Sequence, residues 1–236
     1  MNDLSLVISN QNSYFDEFTS PIIKKKFVNK MFSCLLPKLF LIFISLIVSK
    51  NRYIELFIDS QFADGLFIII FYVLLISTAF LYCNFHDISS YDDIKPYYYV
   101  NILCFSYILP YLSFILKTSF FIYLMVYLLF FNLVVILYTY QQRFNFDYST
   151  LIKISFTSEF IIFIILSIFN NINYFLSIYL TSSIITLYIL WNTENIITSS
   201  NRTFNLKVNE YYLGPILIYL DIFNIFPFII KLFSGR

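Results

Sequence analysis

Long apolar runs, each close to twenty residues and separated by short polar stretches, dominate this chain. A helix of about 20 apolar residues is what crosses the roughly 30 Å hydrocarbon core of a bilayer. Seven such runs occur, at about 31–49, 66–84, 97–116, 119–140, 154–170, 172–193 and 213–233. Lys117 and Thr118 leave little more than a tight turn between the third and fourth, and the Asn170, Asn171, Asn173 cluster does the same between the fifth and sixth. The pattern predicts an all-α membrane protein, a bundle of about seven transmembrane helices. The seventh is either a full span or a re-entrant segment, because Pro215 and Pro227 bracket Asp221. Irregular backbone at that depth is tolerated where it lines a cavity.

Composition agrees. Charged residues make up 12% of the 236, half of what a water-covered domain carries, and mean hydropathy is +0.76. With three glycines, close small-residue helix contacts do not dominate packing, so Phe and Ile side chains are expected to fill the interfaces. Residues 1–30 read as a short cytosolic arm and 31–236 as one transmembrane domain. No secretory leader is expected, since the start is polar and Lys24, Lys25, Lys26 and Lys30 precede the first apolar run.

Orientation follows from the basic residues. With a cytosolic N-terminus, that side holds Lys24, Lys25, Lys26, Lys30, Lys95, Arg143, Lys153, Arg202 and Lys207, nine in all. The other side holds five: Lys50, Arg52, Lys117, Lys231 and Arg236. The sequon Asn201-Arg202-Thr203 then faces the cytosol and goes unused. The net charge of +1 gives no reason to expect nucleic acid.

Enzyme chemistry is not supported. His86 is the one histidine, in a polar loop with Asp87, Asp92 and Asp93, so an intramembrane zinc hydrolase or a serine dyad lacks its parts. Cys34, Cys83 and Cys104 form neither a disulfide framework nor a metal motif, and no phosphate-binding glycine loop or cofactor signature exists.

Polar groups inside spans are costly, and they mark bundle interiors or ion paths. Lys38, early in the first span, is expected to snorkel to the cytosolic interface. Asn132 is expected to make a helix-packing hydrogen bond. Glu159, about five residues into its span, fits an interfacial position as well as a buried one. Asp221, about eight residues into the seventh, needs a proton, a partner or water, and Asn224 one turn later is placed to help.

The segment NEYYLGPILIYLDIFNIFPFIIKLFSGR carries Glu210-Tyr211, then Ile218-Tyr219-Leu220-Asp221-Ile222-Phe223-Asn224-Ile225-Phe226, then Lys231. It resembles the closing signature of the Bax inhibitor-1 family, the transmembrane Bax inhibitor motif proteins. Three further stretches are similar in the same order: Lys25, Phe27 and Lys30 before the first span, Lys95-Pro96 before the third, and YTYQQRFNFDYSTL at 138–151.

The resemblance implies a slow calcium leak from an endoplasmic reticulum or Golgi store with suppression of cell death, Ca2+ being the transported ion. It also implies an aspartate pair from the sixth and seventh spans guarding the pore. Asp221 matches one of them. The other place reads Trp191-Asn192-Thr193-Glu194, so Asn192 stands where an aspartate is usual. An amide cannot share Asp221's proton, and a weakened near-neutral pH switch is expected. Glu194 points elsewhere on its helix, which leaves Glu159 as the better remote candidate. Glu159, Asn192, Glu194, Glu210, Asp221 and Asn224 are therefore the expected ion-pathway residues, with Asp221 closest to the metal ion. The rival expectation is a non-conducting adaptor that damps cell death by binding apoptosis regulators in the bilayer. An unrelated seven-span receptor is less consistent with four motifs in order.

Overall fold

A computed structural model describes residues 20–84, 91–116, 119–141, 146–168, 172–198, 211 and 213–215. Among them are seven helices: α1 (Pro21–Val48), α2 (Arg52–Ile58), α3 (Gln61–Asn84), α4 (Tyr91–Ile115), α5 (Phe120–Tyr140), α6 (Tyr148–Ile168) and α7 (Ile172–Thr198). All but α2 are long and apolar enough to cross a membrane, and no strand occurs among the described residues. The chain is thus an all-α, multi-pass membrane bundle. Of the expected seventh span only residues 213–215 fall inside the described part.

The first helix begins ten residues before the expected boundary at 31. Pro21 occupies the first helical position, where its missing N–H costs nothing. The Ile23 and Lys24 amides donate to the Ser20 carbonyl at 3.0 and 3.1 Å. Phe27 and Val28, placed in the arm by the sequence reading, are core residues. α1 buries Phe27, Met31, Leu35, Leu39, Ile42 and Leu46, a stripe recurring every three or four positions. That stripe packs on α5 and also touches α4. Phe32 meets Phe131 edge-on with ring centroids 5.8 Å apart. The Asn29 amide donates to the Ile136 carbonyl at 3.1 Å and to Thr139 Oγ1 at 2.9 Å.

α5, α6 and α7 form a mutually packed trio, while α3 reaches the rest through α4. At that outer seam Phe67 stacks on Tyr111 at 4.4 Å, Tyr107 Oη donates to the Ala63 carbonyl at 3.1 Å, and Tyr111 Oη donates to Asp64. The bundle's outside is apolar: Phe40, Ile68, Leu133, Ile165 and Ile184 are all exposed, as lipid contact requires.

The short α2 was not anticipated. Its start is set by Asn51, whose side chain accepts from the Tyr53 amide at 3.0 Å. α6 also starts six residues early, for a similar reason. Asp147 accepts from the Ser149 and Thr150 amides at 3.3 and 3.0 Å and from Thr150 Oγ1 at 2.6 Å. Near the far end of the described chain, Leu213, Gly214 and Pro215 are buried. A Cβ on Gly214 would collide with the side chain of Met31, itself fully buried.

Two outcomes follow. Gly214→Ala forces Met31 out of its packed rotamer and costs about 1–3 kcal/mol, read as earlier unfolding when SDS is titrated into mild detergent. At Asp147, the Thr150 hydrogen bonds hold the carboxyl below its usual range. The cap is therefore fully present above the unfolded value of about 3.9 and lost as pH falls through the lower native value. Between pH 7 and a pH below that native value the Ser149 and Thr150 amides should lose exchange protection, after correction for intrinsic rates. Asp147→Ala should lack that protection at both pH values.

Candidate functional site: a polar layer inside the membrane

Five of the spanning helices carry polar side chains away from their ends. Glu159 lies eleven residues into α6, about 17 Å along the axis, because the helix starts at Tyr148. The carboxylate is completely buried. Of the two placements that a span starting at 154 leaves open, interfacial and buried, the structure has the buried one. Ser183 Oγ donates to Oε2 at 3.0 Å and Thr186 Oγ1 donates to Oε1, so each carboxylate oxygen has a donor from α7. Tyr127 of α5 also lies within electrostatic reach of Glu159 and of Tyr179.

Lys38 forms the second centre. It is 2% exposed, its Nζ donates to Asn101 Oδ1 on α4, and it sits 5.2 Å from the centroid of the Phe105 ring. The expected snorkelling is overturned. With α1 starting at Pro21, Lys38 lies about 25 Å along a helix about 42 Å long, so neither interface is within easy reach. A hydrogen bond and an aromatic face replace water around the ammonium. In the same turn region, Tyr98 Oη donates to the Cys34 carbonyl at 2.6 Å, just ahead of Pro37.

Between these centres stands Asn132 of α5, fully buried, and neither its amide nitrogen nor its oxygen has a hydrogen-bond partner among the described residues. The Tyr127 hydroxyl is in the same position. The helix-packing hydrogen bond expected of Asn132 is absent from this part of the structure. Buried groups of this kind cost roughly 1–3 kcal/mol each unless a partner or water reaches them.

The other anticipated residues are placed less centrally. Asn192 is buried, with Nδ2 donating to the Tyr188 carbonyl of its own helix at 2.9 Å. It lies six residues beyond Thr186, about 9 Å further along α7. Glu194 is half-buried at the end of α7 and interacts electrostatically with Tyr148 of α6. Glu210, Asp221 and Asn224 lie outside the described residues. Of the six expected pathway residues, Glu159 is seen hydrogen-bonded to side chains of another helix, Ser183 and Thr186.

Ser183, Thr186, Tyr127 and Asn101 were not anticipated. The α7 residues had a faint signal: Ser182, Ser183 and Thr186 share a face and leave room for the close α6–α7 approach. Most hydroxyls in this region bond locally, as Ser155 does to the Leu151 carbonyl at 2.8 Å and Thr193 to that of Ile189 at 2.7 Å. The Glu159 hydroxyl partners are exceptions that tie two helices together. Among the described residues no group of three or more His, Cys, Asp or Glu side chains could hold a metal ion. Glu159 with its two hydroxyls offers four oxygens, below the six to eight that calcium takes. The arrangement suits a transient cation or proton step.

Thr186→Val, nearly isosteric, should destabilise the bundle by about 1–2 kcal/mol in SDS titration. In a Glu159→Leu background the same change should cost much less. An equal loss in both backgrounds would show that Thr186 acts without Glu159.

Comparison with protein-family models, with curated proteins and with solved structures yields no match to this chain.

Proposed function

We propose that this chain is a slow cation-leak protein of an internal membrane, passing Ca2+ and thereby lowering store calcium and restraining cell death. The observation that carries the reading is Glu159, a wholly buried carboxylate midway along α6 whose oxygens are held by α7 hydroxyls. Ionisable groups at such depth are retained where ions or protons pass. The choice of calcium, and of an endoplasmic reticulum or Golgi membrane, rests on the resemblance of the 210–231 segment to the Bax inhibitor-1 family. The cytosolic N-terminus rests on the excess of basic residues at that end. No catalytic step is part of the proposal.

In this reading Glu159 and Asp221 supply the carboxylates of the pathway, and Asn192 is a neutral neighbour. Its amide adds no like charge, so the leak should vary only shallowly between pH 6 and 8. The second reading is a non-conducting adaptor for apoptosis regulators. Asn192 in the usual aspartate's place favours it, as does the full enclosure of Glu159.

Passive calcium efflux from liposomes holding the purified chain separates the two. Efflux above that of empty liposomes, lowered at least about tenfold by Glu159→Gln and by Asp221→Asn with helix content unchanged, is the expected result. Absence of leak at every pH would leave the adaptor as the account, with a protective effect in cells that survives Asp221→Asn.

A further inference from the structure

Where α1 enters the bundle and α5 leaves it, a cleft of about 710 Å³ opens to the outside. Lys25, Lys26 and Lys30 line it, with Asn29 and Gln141, and among the described residues no acidic side chain does. Lys25 Nζ donates to the Gln141 carbonyl, which caps the end of α5. Lys26 and Lys30, one helical turn apart, are exposed. Lys30 also sits 4.7 Å from the centroid of the Tyr211 ring.

The depth of this cleft is set by α5. Its 21 residues span about 31 Å, the thickness of the hydrocarbon core, so Tyr140 and Gln141 mark the boundary of that core. Three lysines gathered at this level face the phosphate layer of the bilayer. Apart from Thr139 the remaining wall is aliphatic or aromatic, and two of its residues, Ile22 and Tyr140, are exposed. Leu137 and Leu133, on the same face of α5 and successively deeper, are exposed as well. A positive mouth leading onto an open apolar strip fits a molecule with an anionic phosphate head and acyl chains. Free phosphate would use the first feature and leave the second unexplained.

We infer that the α1–α5 cleft is a binding site for one anionic phospholipid, its headgroup phosphate held by Lys26 and Lys30 and its chains laid along Leu137 and Leu133. None of the cleft's lining residues belongs to the polar layer around Glu159. Basic side chains near an anionic membrane surface contribute about fivefold each to binding, so two contribute roughly thirtyfold.

The test is native mass spectrometry of the full chain in detergent, titrated with phosphatidylserine or phosphatidylcholine. The wild type should prefer phosphatidylserine. Lys26→Gln with Lys30→Gln should weaken its binding about thirtyfold, and the paired Arg substitutions should preserve it. Lys50→Gln with Arg52→Gln, the same charge loss at the opposite end, should change nothing. If the glutamine pair loses helix content, Lys26→Gln alone should show about a fivefold loss. Equal weakening by the Lys50 and Arg52 pair, or no preference between the lipids, would overturn the proposal. Displacement of bound phosphatidylserine by millimolar inorganic phosphate would also overturn it, showing a phosphate site that makes no use of the chains.

Discussion

Along α1 the buried residues from Phe27 to Leu46 meet α5 on one side and α4 on the other, and the two parts of the bundle are joined through that stripe. In lipid there is no hydrophobic gain from pressing two apolar helices together, because acyl chains cover Leu and Phe as well as protein does. Cohesion must come from dispersion between well-fitted side chains and from hydrogen bonds that cross between helices. The α1–α5 seam supplies both. Phe32 fits edge-on against Phe131, and the Asn29 amide spans to Ile136 and Thr139. Packing of this kind between large side chains compensates for a chain with three glycines.

The same solvent makes the interior polar groups expensive, and their partners show two different solutions. Ser155, Ser158 and Thr193 return their hydroxyls to their own helix, which satisfies them without restraining a neighbour. Lys38 and Glu159 are satisfied across helices, by Asn101 and Phe105 of α4 and by Ser183 and Thr186 of α7. Only bonds of the second sort resist sliding or rotation of one helix against another. Asn132 and Tyr127 hold buried polar atoms with no partner among the described residues. They sit on α5, the helix that touches both α1 and the α6–α7 pair.

The spans were legible because their signal is thermodynamic and local: each apolar run must be long enough to cross. The middle spans fall within a few residues of the helices. Ends were less legible, since a membrane helix continues past the hydrocarbon for as long as its caps allow. Ser20-Pro21 and Asp147-Tyr148-Ser149-Thr150 are helix-start signals that hydropathy ignores, and Asn51 opened the unexpected α2 in the same way. Those boundary shifts decide chemistry, because depth is counted from the helix start. Lys38 moved from the interface to the interior, and Glu159, which fitted either place, is settled as buried. Their partners were out of reach of the sequence, for Asn101 becomes relevant only once α4 is known to lie beside α1.

In the proposed reading, the placement of charge matters more than its amount. Two carboxylates facing one another share a proton because ionising both is costly, and that repulsion is what brings titration toward neutral pH. Asn192 lies about 9 Å along α7 from the hydroxyl that holds Glu159, and its amide is engaged with its own helix at Tyr188. A carboxylate bound by hydroxyls experiences attraction without repulsion, and its donors gain nothing when a second charge moves. In that reading, Asn192 standing where the resembled family has an aspartate leaves Asp221 without a proton-sharing partner on α7, while Glu159 on the adjacent helix is held by hydroxyls instead. On the same reading, freeing Glu159 for an ion breaks the α6–α7 hydroxyl contacts, so opening is a packing event as well as an electrostatic one.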